Sequence, residues 1–180
     1  MLLVARQVAL LLCCGSMTAF AVAQSPRAIR PENPALLTVP AQPVILTITG
    51  NIARRNKGET AVFDTAMLDK LPTHEFRTST PWFKEPVTFR GPRLQTVLEA
   101  VGAKGTTLHM VALNDYAVDV PITDAQRFGP LLARRIDGKV LGVRDKGPLF
   151  LVYPFDMQPE TRNDMYYGRS IWQLTRIAVQ

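Results

Sequence analysis

From Val44 onward the chain is written in short runs rich in apolar and β-branched residues, each cut off by a turn signal, and only one stretch carries a clear helical period. That cadence constrains the fold more than any other feature. "VILTIT" reads as a strand, and "TAVF" pairs back to it across the long polar connection "GNIARRNKGE". "HEFRTST" and "PVTFR" read as strands flanking a Pro81-Trp82 bend, while "TLHMVAL" and "AVDVPI" lie on either side of Asn114-Asp115-Tyr116. "LLARRI" and "KVLGV" are joined by Asp137-Gly138, a strong two-residue hairpin signal. "PLFLVY" reads as a buried strand, and "SIWQLTRIAV" as a closing strand with alternating apolar residues. The helical period belongs to "RLQTVLEAVGA", where Leu94, Val97, Leu98 and Val101 share one face and Gly102 ends the helix. Asp64 is placed to cap a shorter helix over Thr65 to Leu71, stopped by Pro72. Many strands with two or three short helices, and no regular β-α-β alternation, predict an α+β, mainly β domain.

The N-terminal end reads differently. Met1 to Ala23 carries one cation, Arg6, then an apolar stretch from Val8 to Cys14, then Ala21-Val22-Ala23. This is the pattern of a cleavable secretory signal, and it predicts an exported, periplasmic protein that does not span the membrane once cleaved. Residues 24–43 hold five prolines and read as an extended lead-in, so the domain is expected over 44–180. Both cysteines, Cys13 and Cys14, fall inside the signal segment. A mature chain without cysteine has no disulfide and no thiolate, so ordinary core packing must hold the fold. The formal charge of +6 is spread over scattered basic residues interleaved with acids. That pattern excludes a nucleic-acid tail and suits a small anionic ligand or partner.

Chemistry-bearing motifs are few. Two histidines, His74 and His109, sit in expected strands and give little support for a zinc site. Ser79 and Ser170 lack any G-x-S-x-G elbow, and there is no glycine-rich phosphate loop. What remains is a set of polar–aromatic junctions at strand ends. They are Thr78-Ser79-Thr80-Pro81-Trp82, Asn114-Asp115-Tyr116, Tyr153-Pro154 and Arg169-Ser170-Ile171-Trp172. Singly each reads as a turn cap or core aromatic; together they can line one pocket of aromatic walls and a few polar groups.

The order of these motifs resembles a known family. "FRGPRLQTVLEAVGAKGTTLHMVALNDYAVDVPITDA", "IDGKVLGVRDKGPLFLVYPFD" and "YGRSIWQLTRIAV" are similar to the core of the oxidoreductase molybdopterin-binding domain, the sulfite-oxidase-type fold. The resemblance spans about residues 44–180 and is closest to small exported single-domain members. It implies a molybdenum–pterin cofactor ligated by one cysteine thiolate near a Trp. The matching stretch here, Thr78 to Trp82, holds hydroxyls and no sulfur, and a neutral alcohol is a poor substitute for a soft thiolate. Arg6 is followed by Gln7, so the twin-arginine signal that exports folded cofactor proteins is missing as well.

These departures lead to the expectation of a non-catalytic, cofactor-free binding module, sensory or accessory, using the former pterin cleft for a small ligand. Its rim would otherwise engage a membrane sensor or redox partner protein. Trp82, Tyr116 and Trp172 would form walls, and Thr78, Ser79, Asn114 and Arg169 would hydrogen-bond. Arg169 and Arg144 would favour an anionic group, with Thr80, Asp115 and Tyr153 completing the set. The alternatives are a molybdopterin-dependent oxidoreductase with oxygen ligation at Thr78 or Thr80, and a structural subunit with a filled cleft.

Overall fold

A computed structural model describes residues 37–180; the expected signal segment and most of the proline-rich lead-in lie outside the described residues. The first strand begins at Val44. Strands β1 (Val44–Gly50) and β2 (Ala61–Asp64) form the expected hairpin, followed by helix α1 (Thr65–Asp69). Strands β3 (Thr73–Thr78) and β4 (Val87–Pro92) lead into helix α2 (Leu94–Val101), then strands β5 (Thr107–Ala112) and β6 (Ala117–Pro121) and helix α3 (Thr123–Arg127). Strands β7 (Leu131–Ala133), β8 (Arg135–Ile136), β9 (Lys139–Val140) and β10 (Phe150–Val152) are followed by helix α4 (Asp164–Arg169) and strand β11 (Leu174–Val179). Single 3-10 turns occur at Val143–Asp145 and Pro159–Thr161. The architecture is α+β and mainly β.

The strands form three sheets. A five-stranded sheet runs β2-β1-β11-β5-β6, a four-stranded sheet β3-β4-β8-β9, and a small sheet pairs β10 with β7. All pairings are antiparallel except β1 with β11, which sets the first and last strands side by side. Alternation places Leu46 and Ile48 of β1 and Leu108 and Met110 of β5 in the core, as a strand with one buried face requires. In α2 the four residues of the helical period are all buried, and Gly102 closes the helix in the left-handed conformation at φ 62°. No helix of the described residues is long and apolar enough to cross a membrane.

Three expectations need correction. "LLARRI" is not one strand. It breaks at Arg134, with β7 pairing to β10 and β8 to β4, while Arg134 itself donates its N–H to the Arg90 carbonyl at 2.9 Å. The closing strand starts only at Leu174, because Gln173 adopts a left-handed φ of 53° and detaches Ser170 to Trp172 from it. Helices α3 and α4 stand where no helix was expected, giving four α-helices among the described residues in place of two or three. In α4 the starting signal is Asn163, whose side-chain oxygen accepts from the N–H groups of Met165 and Tyr166.

Candidate functional site

The detached segment after α4 builds a cleft. Trp172 forms an isolated bridge with Phe150, and the Ile171 carbonyl accepts from the Leu151 N–H at 2.9 Å, so this segment lies against β10. Gln173 then fixes the loop beyond it. Its N–H donates to the Lys146 carbonyl at 3.0 Å and its side-chain amide to the Val143 carbonyl at 2.7 Å. These bonds hold Lys146 with its ammonium 4.3 Å from the centre of the Trp172 ring, a cation–π contact.

Across from this segment, the turn after β5 contributes Asn114 and Tyr116. The Asn114 side-chain oxygen accepts the Tyr116 N–H at 3.3 Å, a local turn bond that asparagine makes readily. The Tyr116 hydroxyl donates to the Gly168 carbonyl at 3.4 Å, reaching α4, although the ring stays half exposed. Trp82 enters from the loop between β3 and β4 and packs edge-on against Trp172 at 5.8 Å and Tyr167 at 6.2 Å. Together with Ala112, Ser170 and Ile171 these residues enclose a cavity of about 360 Å³. That size is at the lower end of small-molecule sites, and walls of aromatic rings with a few polar groups are their usual make-up.

Three of the four expected junctions therefore meet in space, through Trp82, Asn114, Tyr116, Ser170 and Trp172. The other expected residues have different work. Thr78 is buried, and its hydroxyl accepts the Asp156 N–H at 3.0 Å. Ser79 donates both its N–H, at 2.7 Å, and its hydroxyl, at 3.1 Å, to the Asp156 carboxylate, which also faces Arg162 at 3.6 Å. The Thr80 hydroxyl accepts the Trp82 N–H at 3.3 Å. Asp115 turns outward with φ 61° and pairs with Arg176 at 2.6 Å. Arg144 lines the neighbouring basin with Phe83 and Lys146 rather than the cleft.

Tyr153 is a core group, and Arg169 is partly buried beside it. Both donate to the same Asp124 oxygen at 2.8 Å, and Asp124 is itself buried on α3. Arg169 also lies over the Tyr166 ring at 5.0 Å. Burial, reinforced by the adjacent Asp124 charge, pushes the Tyr153 hydroxyl far above the usual phenol range, so it stays protonated and donating. This triad ties α3, α4 and the end of β10 together.

Sequence reasoning passed over Tyr167, Gly168 and Lys146. The first two follow from α4, whose Asn163 cap was a legible signal. Lys146 depends on the Gln173 bonds, which only the tertiary structure supplies.

The donor set does not fit the molybdenum group that the resemblance implies. In the stretch that the resemblance matches to the cysteine, Thr78, Ser79 and Thr80 offer neutral hydroxyls, and each is already engaged in bonds that shape the loop. No group of three or more His, Cys, Asp or Glu residues able to hold a metal occurs among the described residues. Compared with known proteins, the chain matches no family model and no curated sequence.

Proposed function

We propose that this chain is an exported, cofactor-free binding domain on a sulfite-oxidase-type fold, whose aromatic cleft receives a small planar ligand with an anionic group. The observation that carries the reading is the cleft itself. Trp82, Tyr116, Tyr167 and Trp172 wall one cavity, Asn114 supplies an amide, and the Lys146 ammonium, which lines the neighbouring basin, lies 4.3 Å from the centre of the Trp172 ring. Ring walls favour a flat apolar body, and a cation beside them favours a carboxylate or similar group on that body. The mainly β architecture and the order of the motifs support the fold. The engagement of the hydroxyls at Thr78 to Thr80 supports a site that works by recognition rather than by metal chemistry.

The test uses an internal reporter, since both tryptophans of the chain line the cleft. Titration with a panel of small aromatic carboxylic acids should give saturable quenching of tryptophan fluorescence for at least one member. Tyr116→Ala and Asn114→Ala, at surface positions, should remove that quenching while leaving the thermal midpoint close to that of the parent. Stoichiometric molybdenum and pterin in protein purified from its native host would sink the proposal, as would the absence of quenching by every acid tested.

A further inference from the structure

A second basin shares no residue with the aromatic cleft. It is a cavity of about 340 Å³ at the junction of α1, β4 and β8, lined by Asp69, Thr73, Arg90, Gly91, Arg134 and Arg135 together with Gly138. We infer that it is a binding site for a small tetrahedral oxyanion of the phosphate or sulfate type, held by Arg134 with Arg90 and Arg135.

Arg134 is the buried cation of the basin. It stands where the chain changes sheets, so both its backbone groups are used. Its N–H donates to the Arg90 carbonyl at 2.9 Å, and its carbonyl accepts the Leu141 N–H at 2.8 Å. Its side chain is driven under the end of α1 and is only 8% exposed. There Nη1 donates to the Thr65 carbonyl at 3.3 Å and pairs with the Asp69 carboxylate. Nε is buried without any hydrogen-bond partner, and Nη2 donates to no group among the described residues. The parallel Nε–H and Nη2–H pair is thus without a partner among the described residues; this is the edge that a phosphate, sulfate or carboxylate takes through two oxygens, and since Nε is covered, an oxyanion reaches both donors only with a small shift of the side chain. A buried guanidinium with that edge unmet is costly, and an oxyanion on it removes the cost.

The strand register supplies an independent reason. Arg90 and Arg135 are direct cross-strand partners, so their side chains rise from the same face of the sheet. Like charges in that relation repel and are avoided unless something lies between them. Arg135 turns one N–H to the Gly138 carbonyl at 3.3 Å, and no ion pair joins Arg90 to Glu75, its neighbour on β3, among the described residues. Three guanidinium groups therefore surround one cavity with a single lining carboxylate, Asp69, whose side chain is half exposed. An anion between the strands turns the repulsion into shared attraction, and Asp69 is the group it would compete with.

Isothermal titration of the full chain with inorganic phosphate, and separately with sulfate, tests the assignment, with chloride at matched ionic strength as control. Saturable 1:1 binding is expected for either oxyanion and none for chloride. The double variant Arg90→Gln/Arg135→Gln changes surface groups and should weaken binding by roughly tenfold or more, the size expected when charge-assisted contacts are lost. Asp69→Asn removes the competing carboxylate and should bind more tightly than the parent; it carries the test if the double variant fails to fold. No saturable binding, an equal response to chloride, undiminished affinity in the folded double variant, or affinity in Asp69→Asn no higher than the parent's would each overturn the inference.

Discussion

At the residue scale, polar type and polar function separate. Thr78, Ser79, Tyr153 and Arg169 look like ligand groups in the sequence, yet each is committed to a partner inside the fold. Asp64 is the reverse, a residue marked by the sequence for a structural task that it performs more fully than a helix cap needs. One of its oxygens accepts the Met67 N–H at 2.8 Å, and the other accepts the N–H groups of Ala41 and Gln42 at 2.8 and 3.0 Å. It therefore caps α1 and anchors the segment leading into β1 at the same time. The Met67 N–H does most to hold its carboxyl below the usual value of 3.8, burial opposes this, and the other backbone donors add to the lowering. Since the folded value is the lower one, the stabilisation is complete above 3.8 and is lost as pH falls through the folded value. Asp64→Ala should lower the thermal midpoint at neutral pH, and the gap to the parent should close in strong acid. Melts across an acidic pH series check this; a gap unchanged to the lowest pH would mean that the carboxylate charge plays no part.

At the element scale, legibility followed period length. The helical face of α2 and the β1–β2, β5–β6 and β8–β9 hairpins were readable because each repeats its pattern over several residues or carries an unmistakable turn. Helices α3 and α4 are five and six residues long, too short to show a period. The split of "LLARRI" was hidden for a different reason. It depends on β4 accepting a close neighbour at Gly91, where an added Cβ would fall 2.9 Å from the Leu132 carbonyl carbon and 3.0 Å from the Ala133 Cα. The same limit applies to the cleft. Its aromatic and amide residues were legible by type, while the positioning of Lys146 over Trp172 by Gln173 and the bond from Tyr153 to Asp124 were not. Gly91→Ala should therefore cost about 3 kcal/mol, the upper range of overpacking against unyielding backbone. Gly138, at φ 77° with open space around it, should lose only about 1–2 kcal/mol as alanine, from the left-handed backbone alone. Paired urea titrations of the two variants check the ranking, and equal losses would show that β4 and β7 are not held at contact distance.

At the scale of the whole molecule, the question is what makes three sheets behave as one body. Buried residues from all of them join a single core, with Leu46 from the five-stranded sheet, Phe89 from the four-stranded sheet, and Leu131 and Phe150 from the pair. Phe150 stands at the crossing. Its ring lies 5.4 Å from Trp82, 5.7 Å from Phe89 and 5.9 Å from Trp172, all in edge-on geometry. Aromatic pairs at such separations add to the burial of the rings themselves. The floor of the cleft and the joint between sheets are thus the same cluster, so the site cannot loosen while the fold stays intact. Phe150→Ala should destabilise the domain by about 3–5 kcal/mol, the range for a buried phenylalanine replaced by alanine. Because both tryptophans touch Phe150, their fluorescence reports the core directly, and far-UV circular dichroism reports the sheets. The two probes should trace one coincident urea transition, shifted to lower denaturant. A fluorescence change that precedes the loss of β-structure would instead divide the molecule into a labile aromatic layer over a separately stable sheet, and the cleft would then be free to open on its own.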